Sequence, residues 1–591
     1  MGLDLDDLTE PERGLWEAFR TGAELDLRAG DAAVDEVGAA DGWGEERTVR
    51  ARVIVALLLG AQQAEPGHVA ALRLTGARIV GVVDLDYAEV RYHLRLKDCS
   101  IPERVYLYGA RTRQVSLVGS HLPGGLEMSL AVVDGNLRLI GCRIEGGLSL
   151  AGTRVAGAVL LNRARLANPG APALNGPRLH VDGDLSCTEG FEARGEVNLR
   201  GARIAGDASF AEATLSVSGG VALRASACEV GGGLLCDEVT ACGQLRIRRA
   251  RIGGSVWFTG ARVRTEDEEF AVYAADAEIG MDLRFGHNFI AEGGVEISDI
   301  SVGAHIRLDG ATLTRPQGDA LVARGITVGG DVHCADGFTA LGAVRFNGAR
   351  ISGFLNFRDA DLTASHGFAL TLTRASAREL DLRTATAPAE VDLSHATVGV
   401  IRDSAHSWPA TLRLNGLRYE QLDQPGTAKE RADWLERDDR LSYVPEPFEQ
   451  LAAFYRRIGH DDEARRVLLA KQRARRRTLS ASARGWGALQ DAVVGYGYRP
   501  ERALAWLVGL LGLGTLAFGL HPPRPIGTGS GPPFNPLIYS LDLLLPVINF
   551  GVSRAYTSDG AYQWLAYLLT AAGWILATAI AAGVARAVNR A

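Results

Sequence analysis

The chain has 591 residues, with 63 Lys and Arg against 70 Asp and Glu, and 71 Gly against 21 Pro. This length exceeds what one compact core can serve, so several domains or one elongated repeat array is expected. The glycine content, without a three-residue period and with little proline, excludes a collagen-like chain and disfavours disorder.

The net charge of −7 is unevenly distributed along the chain. Residues 1–403 hold 41 basic and 54 acidic side chains, net −13, whereas 404–591 hold 22 and 16, net +6. An acidic body followed by a basic segment predicts contact with an anionic membrane surface.

Residues 1–69 carry two helical patterns, near Glu10–Arg20 and Glu46–Leu59, the first opened by Thr9 and Pro11. The acidic start of the chain lacks the apolar core of a secretory signal, so the bulk of the protein is expected in the cytoplasm. Because the end of a repeat array exposes apolar core and unpaired edge groups, 1–69 is predicted to be a helical cap.

Residues 70–403 contain an eleven-residue repeat. Gly124, Gly135, Gly146 and Gly157 follow one another at this interval, each followed by alternating apolar residues. Alternation indicates strands, and a glycine in each unit disfavours a right-handed coiled coil. With two units per coil, the segment predicts a mainly-β fold, a right-handed parallel β-helix of roughly 13–15 coils.

The seven cysteines form no CxxC pair, which predicts buried thiols in a reducing compartment rather than a redox or metal site. They are Cys99, Cys142, Cys187, Cys228, Cys236, Cys242 and Cys334.

Residues 404–500 lose glycine and gain helical periodicity. Pro447–Ile458 and Asp461–Arg476 predict a helical hairpin that turns at Gly459 and is similar to a single tetratricopeptide unit. The hairpin ends in a basic run that is predicted to contact anionic lipid headgroups. The run consists of Arg473, Arg475, Arg476 and Arg477.

Residues 501–591 contain two uncharged stretches, Leu504–Leu520 and Tyr562–Ala585, of 17 and 24 residues. Their lengths predict two transmembrane helices. The distribution of Lys and Arg then predicts a multi-pass plasma-membrane protein with both termini and the β-helix in the cytoplasm. Small residues at four-residue spacing in the second stretch predict close helix packing. They are Gly573, Ala577, Ala581 and Ala585.

Between these stretches, residues 536–551 are apolar but include Asp542 and Pro546. The segment predicts an interfacial or re-entrant hairpin. Asp542 is the leading candidate for a functional residue, because an ionisable group at membrane depth usually has a function.

Four passages carry a family resemblance: LTEPERGLWEAFRTGAELDLR, the GARI-x-G units, PFEQLAAFYRRIGHDDEARRVLLAKQRARRR and NPLIYSLDLLLPVINFG. With them the chain resembles actinobacterial membrane-anchored proteins with pentapeptide-like repeats, often labelled membrane-associated oxidoreductases. The resemblance implies a pentapeptide-repeat-like solenoid, a membrane anchor and, through the label, redox activity.

The residues themselves predict no catalytic, cofactor or metal site. The one dinucleotide-like string, Gly512–Ala517, lies inside a predicted span rather than at a strand-to-helix turn, and no GxSxG, HExxH or P-loop occurs.

The function expected from the residues is a non-catalytic scaffold, an acidic β-helix that docks an unknown cytoplasmic protein. Its other expected partners are the lipid bilayer and, through the apolar helices, further copies of the chain, but not nucleic acid. Two alternatives stay open: the oxidoreductase of the label, and a channel-like or transport-like module in 501–591 that the β-helix regulates.

Overall fold

A computed structural model describes residues 5–266, 268–437, 443–477, 500–526, 533–545, 548 and 550–588. The chain divides into two compact units, Met1–Gln424 and Pro425–Ala591. The first is a parallel β-solenoid with helices at its N-terminal end, and the second is helical.

Each coil of the solenoid passes through four columns of short strands, and every strand pairs in parallel with its equivalent one coil away. The first column consists of Leu25–Asp26, Ala71–Thr75, His93–Lys97, Val115–Ser116, Leu137–Arg138, Val159–Leu160, Leu185–Ser186, Ala208–Ser209, Leu234–Leu235, Val256–Trp257, Leu283–Arg284, Ile306–Arg307, Val332–His333 and Phe354–Asn356. The second consists of Thr48–Arg50, Arg78–Val80, His121–Leu122, Arg143–Glu145, Arg165–Ala167, Glu192–Arg194, Arg262–Arg264, Ile290–Glu292 and Asp361–Thr363.

The remaining strands complete the coils. The third column consists of Val83–Asp84, Val105–Tyr106, Leu126–Glu127, Leu148–Ser149, Leu174–Asn175, Val197–Asn198, Phe270–Tyr273, Gly294–Glu296, Leu370–Thr371, Glu390–Asp392 and Thr411–Arg413. Longer strands join the second column to the third at Thr214–Arg224, Thr240–Arg246, Thr312–Val322 and Thr339–Arg345. The fourth consists of Glu89–Val90, Arg111–Thr112, Val132–Val133, Arg154–Val155, His180–Val181, Arg203–Ile204, Glu229–Val230, Arg251–Ile252, Glu278–Ile279, Ser301–Val302, Thr327–Val328 and Arg350–Ile351. Three longer strands each extend from the fourth column into the first column of the next coil. They are Ser376–Asp381, Thr397–Arg402 and Arg418–Leu422.

The eleven-residue repeat sets this register. Leu126 pairs with Leu148, so two repeat units make one coil, and inward residues of like kind stack on one another. Phe258 and Phe285 stack with ring centroids 5.3 Å apart, and both are fully buried. The solenoid has about fifteen coils, which confirms the predicted parallel β-helix and extends it to Leu422, beyond residue 403.

The N-terminal segment pairs directly onto the first coil. It contains helix α1 (Glu10–Thr21), helix α2 (Ala51–Leu58) and short 3₁₀ turns at Leu5–Asp7, Val37–Gly42 and Glu45–Arg47. Leu25 pairs with Leu74 in the first column, and Val49 pairs with Ile79 in the second. These strands supply hydrogen-bond partners for an edge that would otherwise be unpaired.

The second unit contains helices α3 (Ala428–Leu435), α4 (Glu446–Arg457), α5 (Asp461–Arg477), α6 (Pro500–Leu520), α7 (Pro536–Leu544) and α8 (Ala561–Val588). Helices α4 and α5 turn at Gly459, whose φ of 80° suits glycine, and they bury Leu451, Tyr455 and Val467 between them. Residues Arg524–Pro525 and Tyr556–Thr557 form a small antiparallel pair, and Ala405–Ser407 of the first unit is a 3₁₀ turn.

The membrane half of the predicted fold is wrong. Within the described parts of the chain, no helix combines the length and the apolar character that crossing a bilayer takes. The two transmembrane helices predicted in 501–591 are therefore not supported, nor is the multi-pass plasma-membrane location with cytoplasmic termini and β-helix.

The physical reason lies in how these helices use their apolar residues. Helix α8 interrupts its apolar run with Gln563, Thr570 and Thr578. The uncharged stretch of α6 has 17 residues, the lower limit of about 17 for a span. Part of the apolar surface is buried between the helices, where Phe518 and Leu569 are fully buried.

Candidate functional site

The loops that join the second column to the third alternate in length. Long segments at 168–172, 217–221 and 315–319, together with the described residues Glu266, Glu268 and Glu269 at the equivalent place, alternate with tight turns at glycines. These glycines are 48, 50 and 49 residues apart in the sequence. These are Gly195, Gly243, Gly293 and Gly342, with φ of 130°, 121°, 134° and 138°. Long loops therefore flank the third column at every second coil.

Each of these glycines lies against the long loop of the preceding coil. A Cβ added to Gly342 would come within 2.4 Å of the carbonyl oxygen of Arg315, and one on Gly195 within 2.7 Å of that of Ala171. Only glycine fits so close an approach at a positive φ. This two-coil repeat is present in the sequence, but the eleven-residue period alone does not reveal it.

A cavity of about 990 Å³ lies over the third column. We name it the groove. It is lined mainly by outward side chains of five successive coils and by loop residues, notably Glu196, Arg200, Arg224, Ser226, Arg246, Arg248, Arg249, Glu268, Glu269, Phe270, Tyr273 and Glu296.

Loop carboxylates fix the central arginines of the groove. Arg224 Nε lies 2.6 Å from Glu196 Oε1, and the hydrogen bond to this carboxylate raises the pKa of Arg224. Arg246 pairs with Glu268 at 3.2 Å. Arg345, at the equivalent position farther along the column, pairs with Asp319 at 2.9 Å. An outward arginine of this column is thus paired three times with a carboxylate from the loops or turns between the second and third columns.

Two aromatic rings, those of Phe270 and Tyr273, line the later coils of the groove. The Phe270 and Tyr273 centroids are 6.2 Å apart, and the guanidinium of Arg246 lies 5.9 Å from the Tyr273 ring. The guanidinium of Arg315 lies 5.1 Å from the Phe270 ring, and Gln244 Nε2 donates to the Phe270 carbonyl at 2.8 Å. These contacts attach Phe270 to the solenoid.

A second cavity, also about 990 Å³, lies beside the fourth column. Its charges are paired, Arg203 with Glu229 at 3.1 Å and Arg251 with Glu278 at 3.4 Å. Its floor is exposed glycine backbone: a Cβ on Gly253 would come within 2.4 Å of the Gly231 carbonyl oxygen. We take the groove as the candidate site, because it alone of these two cavities has loop walls.

The structure gives Asp542 a specific set of contacts. Its carboxylate accepts the N–H of Phe550 and of Ser553, each at 2.7 Å. Burial alone would raise the pKa of Asp542, but the hydrogen bonds from Ser553, Phe550 and Val552 lower it overall. The residue thus holds the loop after α7, whereas Pro546 lies outside the described residues.

The other predicted site residues lie on helices of the second unit. Arg473, Arg475, Arg476 and Arg477 form the last turns of α5, and their lipid contact stays a prediction. Gly573 is buried on α8, where an added Cβ would come within 2.1 Å of the Leu544 carbonyl oxygen. Ala577 is half-buried, Ala581 is exposed, and Ala585 lies farther along the same helix.

Six of the seven cysteines are buried, and Cys242 is exposed. Burial raises the pKa of Cys99, Cys142 and Cys228 to about 12, which keeps these thiols protonated at neutral pH. Among the residues that the structure describes, no cluster of three or more His, Cys, Asp or Glu is arranged to hold a metal ion.

Comparison with protein-family models, with curated proteins and with solved structures finds no match to this chain. The resemblance to labelled oxidoreductases therefore stays a prediction.

Proposed function

We propose that this chain is a non-catalytic docking scaffold that holds a partner protein in the groove. One observation carries the proposal: the central arginines are fixed by ion pairs within the chain, Arg224 to Glu196 at 2.6 Å and Arg246 to Glu268 at 3.2 Å. Side chains already held in place lose little conformational freedom on association, so more of the interaction energy contributes to affinity.

The electrostatics of the groove favour binding over catalysis. A general acid or base needs a pKa near the working pH. The central arginines do not meet this requirement, because a guanidinium stays charged at every physiological pH. A permanently charged, planar donor is suited to recognising carboxylates on a partner.

Photo-crosslinking followed by reconstitution tests the proposal. A photoreactive residue replaces Ser226 in the groove, or Ser301 on the fourth column as a control, in the full chain in its native cells. The protein captured only from Ser226 is purified, and its affinity is measured for the wild type and for two matched double variants.

Arg224→Gln with Arg246→Gln alters the groove, and Arg203→Gln with Arg251→Gln removes the same charge from the fourth column. We expect the groove variant to weaken binding about tenfold or more and the control to leave it unchanged. Equal affinities for both variants would contradict the proposal. So would substrate turnover by the purified chain that only the groove variant loses.

A further inference from the structure

The charges of the groove are sorted along the solenoid axis. On the three earlier coils the charged lining residues are five arginines and one glutamate, Glu196. On the two later coils they are glutamates alone, Glu268, Glu269 and Glu296. From this polarity we propose that the occupant is an extended segment of the partner, acidic at one end and basic at the other. This inference rests on the proposed docking function and adds the chemistry of the partner.

The arginine end has unused binding capacity. Arg200 is exposed and makes no ion pair within the part of the chain that the structure describes. Arg248 and Arg249 share one carboxylate, that of Asp276, at 3.5 and 3.6 Å. Both distances exceed the ~2.7–2.9 Å of a strong charge-assisted hydrogen bond, so the guanidiniums keep donors for a carboxylate of the partner.

Arg200 and Arg248 occupy equivalent positions two coils apart, so one bound segment can contact both. The Gly201 N–H donates to the carbonyl oxygen of Ser226, and the Ala227 N–H donates to that of Arg248. Arg200, Ser226 and Arg248 therefore lie in one line over successive coils. At a strand spacing of ~4.8 Å, the backbones of Arg200 and Arg248 are about 10 Å apart. Two acidic side chains of one extended segment can reach both.

The glutamate end offers the opposite charge. Glu296 accepts the N–H of Ser298 at 3.1 Å and makes no ion pair among the described residues. Glu269 is neutralised from outside the groove by Arg315, and Glu268 by Arg246. Glu296 is thus the carboxylate available to a base on the partner, and it lies one coil from Tyr273.

The distance between the two ends sets the length of the occupant. Asn198 pairs with Arg224, and the column continues through Arg246 and Tyr273 to Glu296, which makes four steps across five coils. Four steps of ~4.8 Å span about 19 Å, which an extended chain covers in roughly six residues at ~3.3 Å each. The acidic and basic groups of the partner should be separated by about that distance.

Two labelled peptides of identical composition and zero net charge test the inference on the full chain. One has its charges in blocks, Glu-Glu-Gly-Ser-Gly-Ser-Lys-Lys, and the other has them mixed, Glu-Lys-Gly-Ser-Gly-Ser-Lys-Glu. Fluorescence anisotropy at low salt gives both affinities. We expect the block peptide to bind about fivefold or more tightly, because only its charges match both ends at once.

The preference should disappear in Arg200→Gln with Arg248→Gln and persist in Arg203→Gln with Arg251→Gln, which lie on the same coils but in the fourth column. Equal binding of the two peptides, weakened in both cases by Arg224→Gln with Arg246→Gln, would overturn the charge polarity and leave the docking function standing. Absence of binding by either peptide, while the photo-crosslinked partner binds, would overturn the inference as well.

Discussion

The two units of this protein are built differently, the first by repetition of one kind of coil and the second from helices that each occur once. The solenoid repeats the same arrangement of short strands in about fifteen coils. An ambiguous repeat can therefore be assigned by comparison with the others. In the helical unit each apolar stretch occurs once, and its composition fits both a lipid-facing helix and a helix packed on its neighbours. Repetition, rather than hydrophobicity, made the fold predictable.

The difference is visible in single residues. Leu126 and Leu148 occupy equivalent positions one coil apart, and both are buried, as the eleven-residue period predicts. Leu569 in α8 is fully buried against α6 and α7, within the stretch predicted to cross a membrane. Substitutions in each unit test how far the two units behave separately.

Truncation of the core should affect each unit by itself. Phe285→Ala removes a ring that stacks on Phe258 at 5.3 Å and should destabilise the solenoid by about 3–5 kcal/mol. Leu569→Ala should destabilise only the helical unit, by about 2–5 kcal/mol. Calorimetry of the full chain measures both. If the two substitutions shifted one common transition equally, the separation into units would be wrong.

A glycine in the solenoid and one in a helix should respond to alanine with opposite signs. Gly253→Ala places a Cβ within 2.4 Å of a backbone carbonyl and should cost about 1–3 kcal/mol. Gly512→Ala in α6 meets nothing within 4 Å and should stabilise its helix by about 0.5–1 kcal/mol. The denaturant midpoint of each variant, compared with that of the wild type, gives the sign of the stability change. If Gly253→Ala left the free energy of unfolding unchanged, the coils would stack less tightly than described.

Much of the solenoid could be predicted from sequence, and little of the groove. The eleven-residue period identifies inward residues, but it treats outward positions as equivalent. Arg224 and Glu196 are 28 positions apart in the sequence, and they meet only because a coil and a loop insertion bring them together. The glycines from Gly195 to Gly342 mark where the long loops occur, and they recur at twice the length of a coil.

Acid should weaken both units through particular carboxylates. The pKa of Asp282 in the solenoid is lowered, since hydrogen bonds from Arg284 and the His305 N–H outweigh the effect of burial, and that of Asp542 is lowered by its loop N–H groups. A lowered folded pKa contributes stability above the unfolded value of about 3.9, and this stability is lost as pH falls through the folded value.

Asp542→Asn should therefore cost the helical unit about 1–2 kcal/mol at pH 7 and flatten its acid dependence, leaving the solenoid transition in place. Thermal unfolding between pH 7 and pH 3 measures this effect, with Asp559→Asn on the exposed Arg524 pair as the control. An unchanged pH profile in Asp542→Asn would show that this carboxylate does not hold the loop.

The central claim is that the coils stack at a constant spacing and so fix the positions of the groove residues. Distances between spin labels along the third column test this claim most directly. In a Cys242→Ser background, where the remaining cysteines are buried, labels replace Asn198 together with Glu296, or Asn198 together with Thr371. At ~4.8 Å per coil, four and seven coils predict separations near 19 and 34 Å, with narrow distributions. Broad distributions, or distances that fail to grow with the number of coils, would contradict the account.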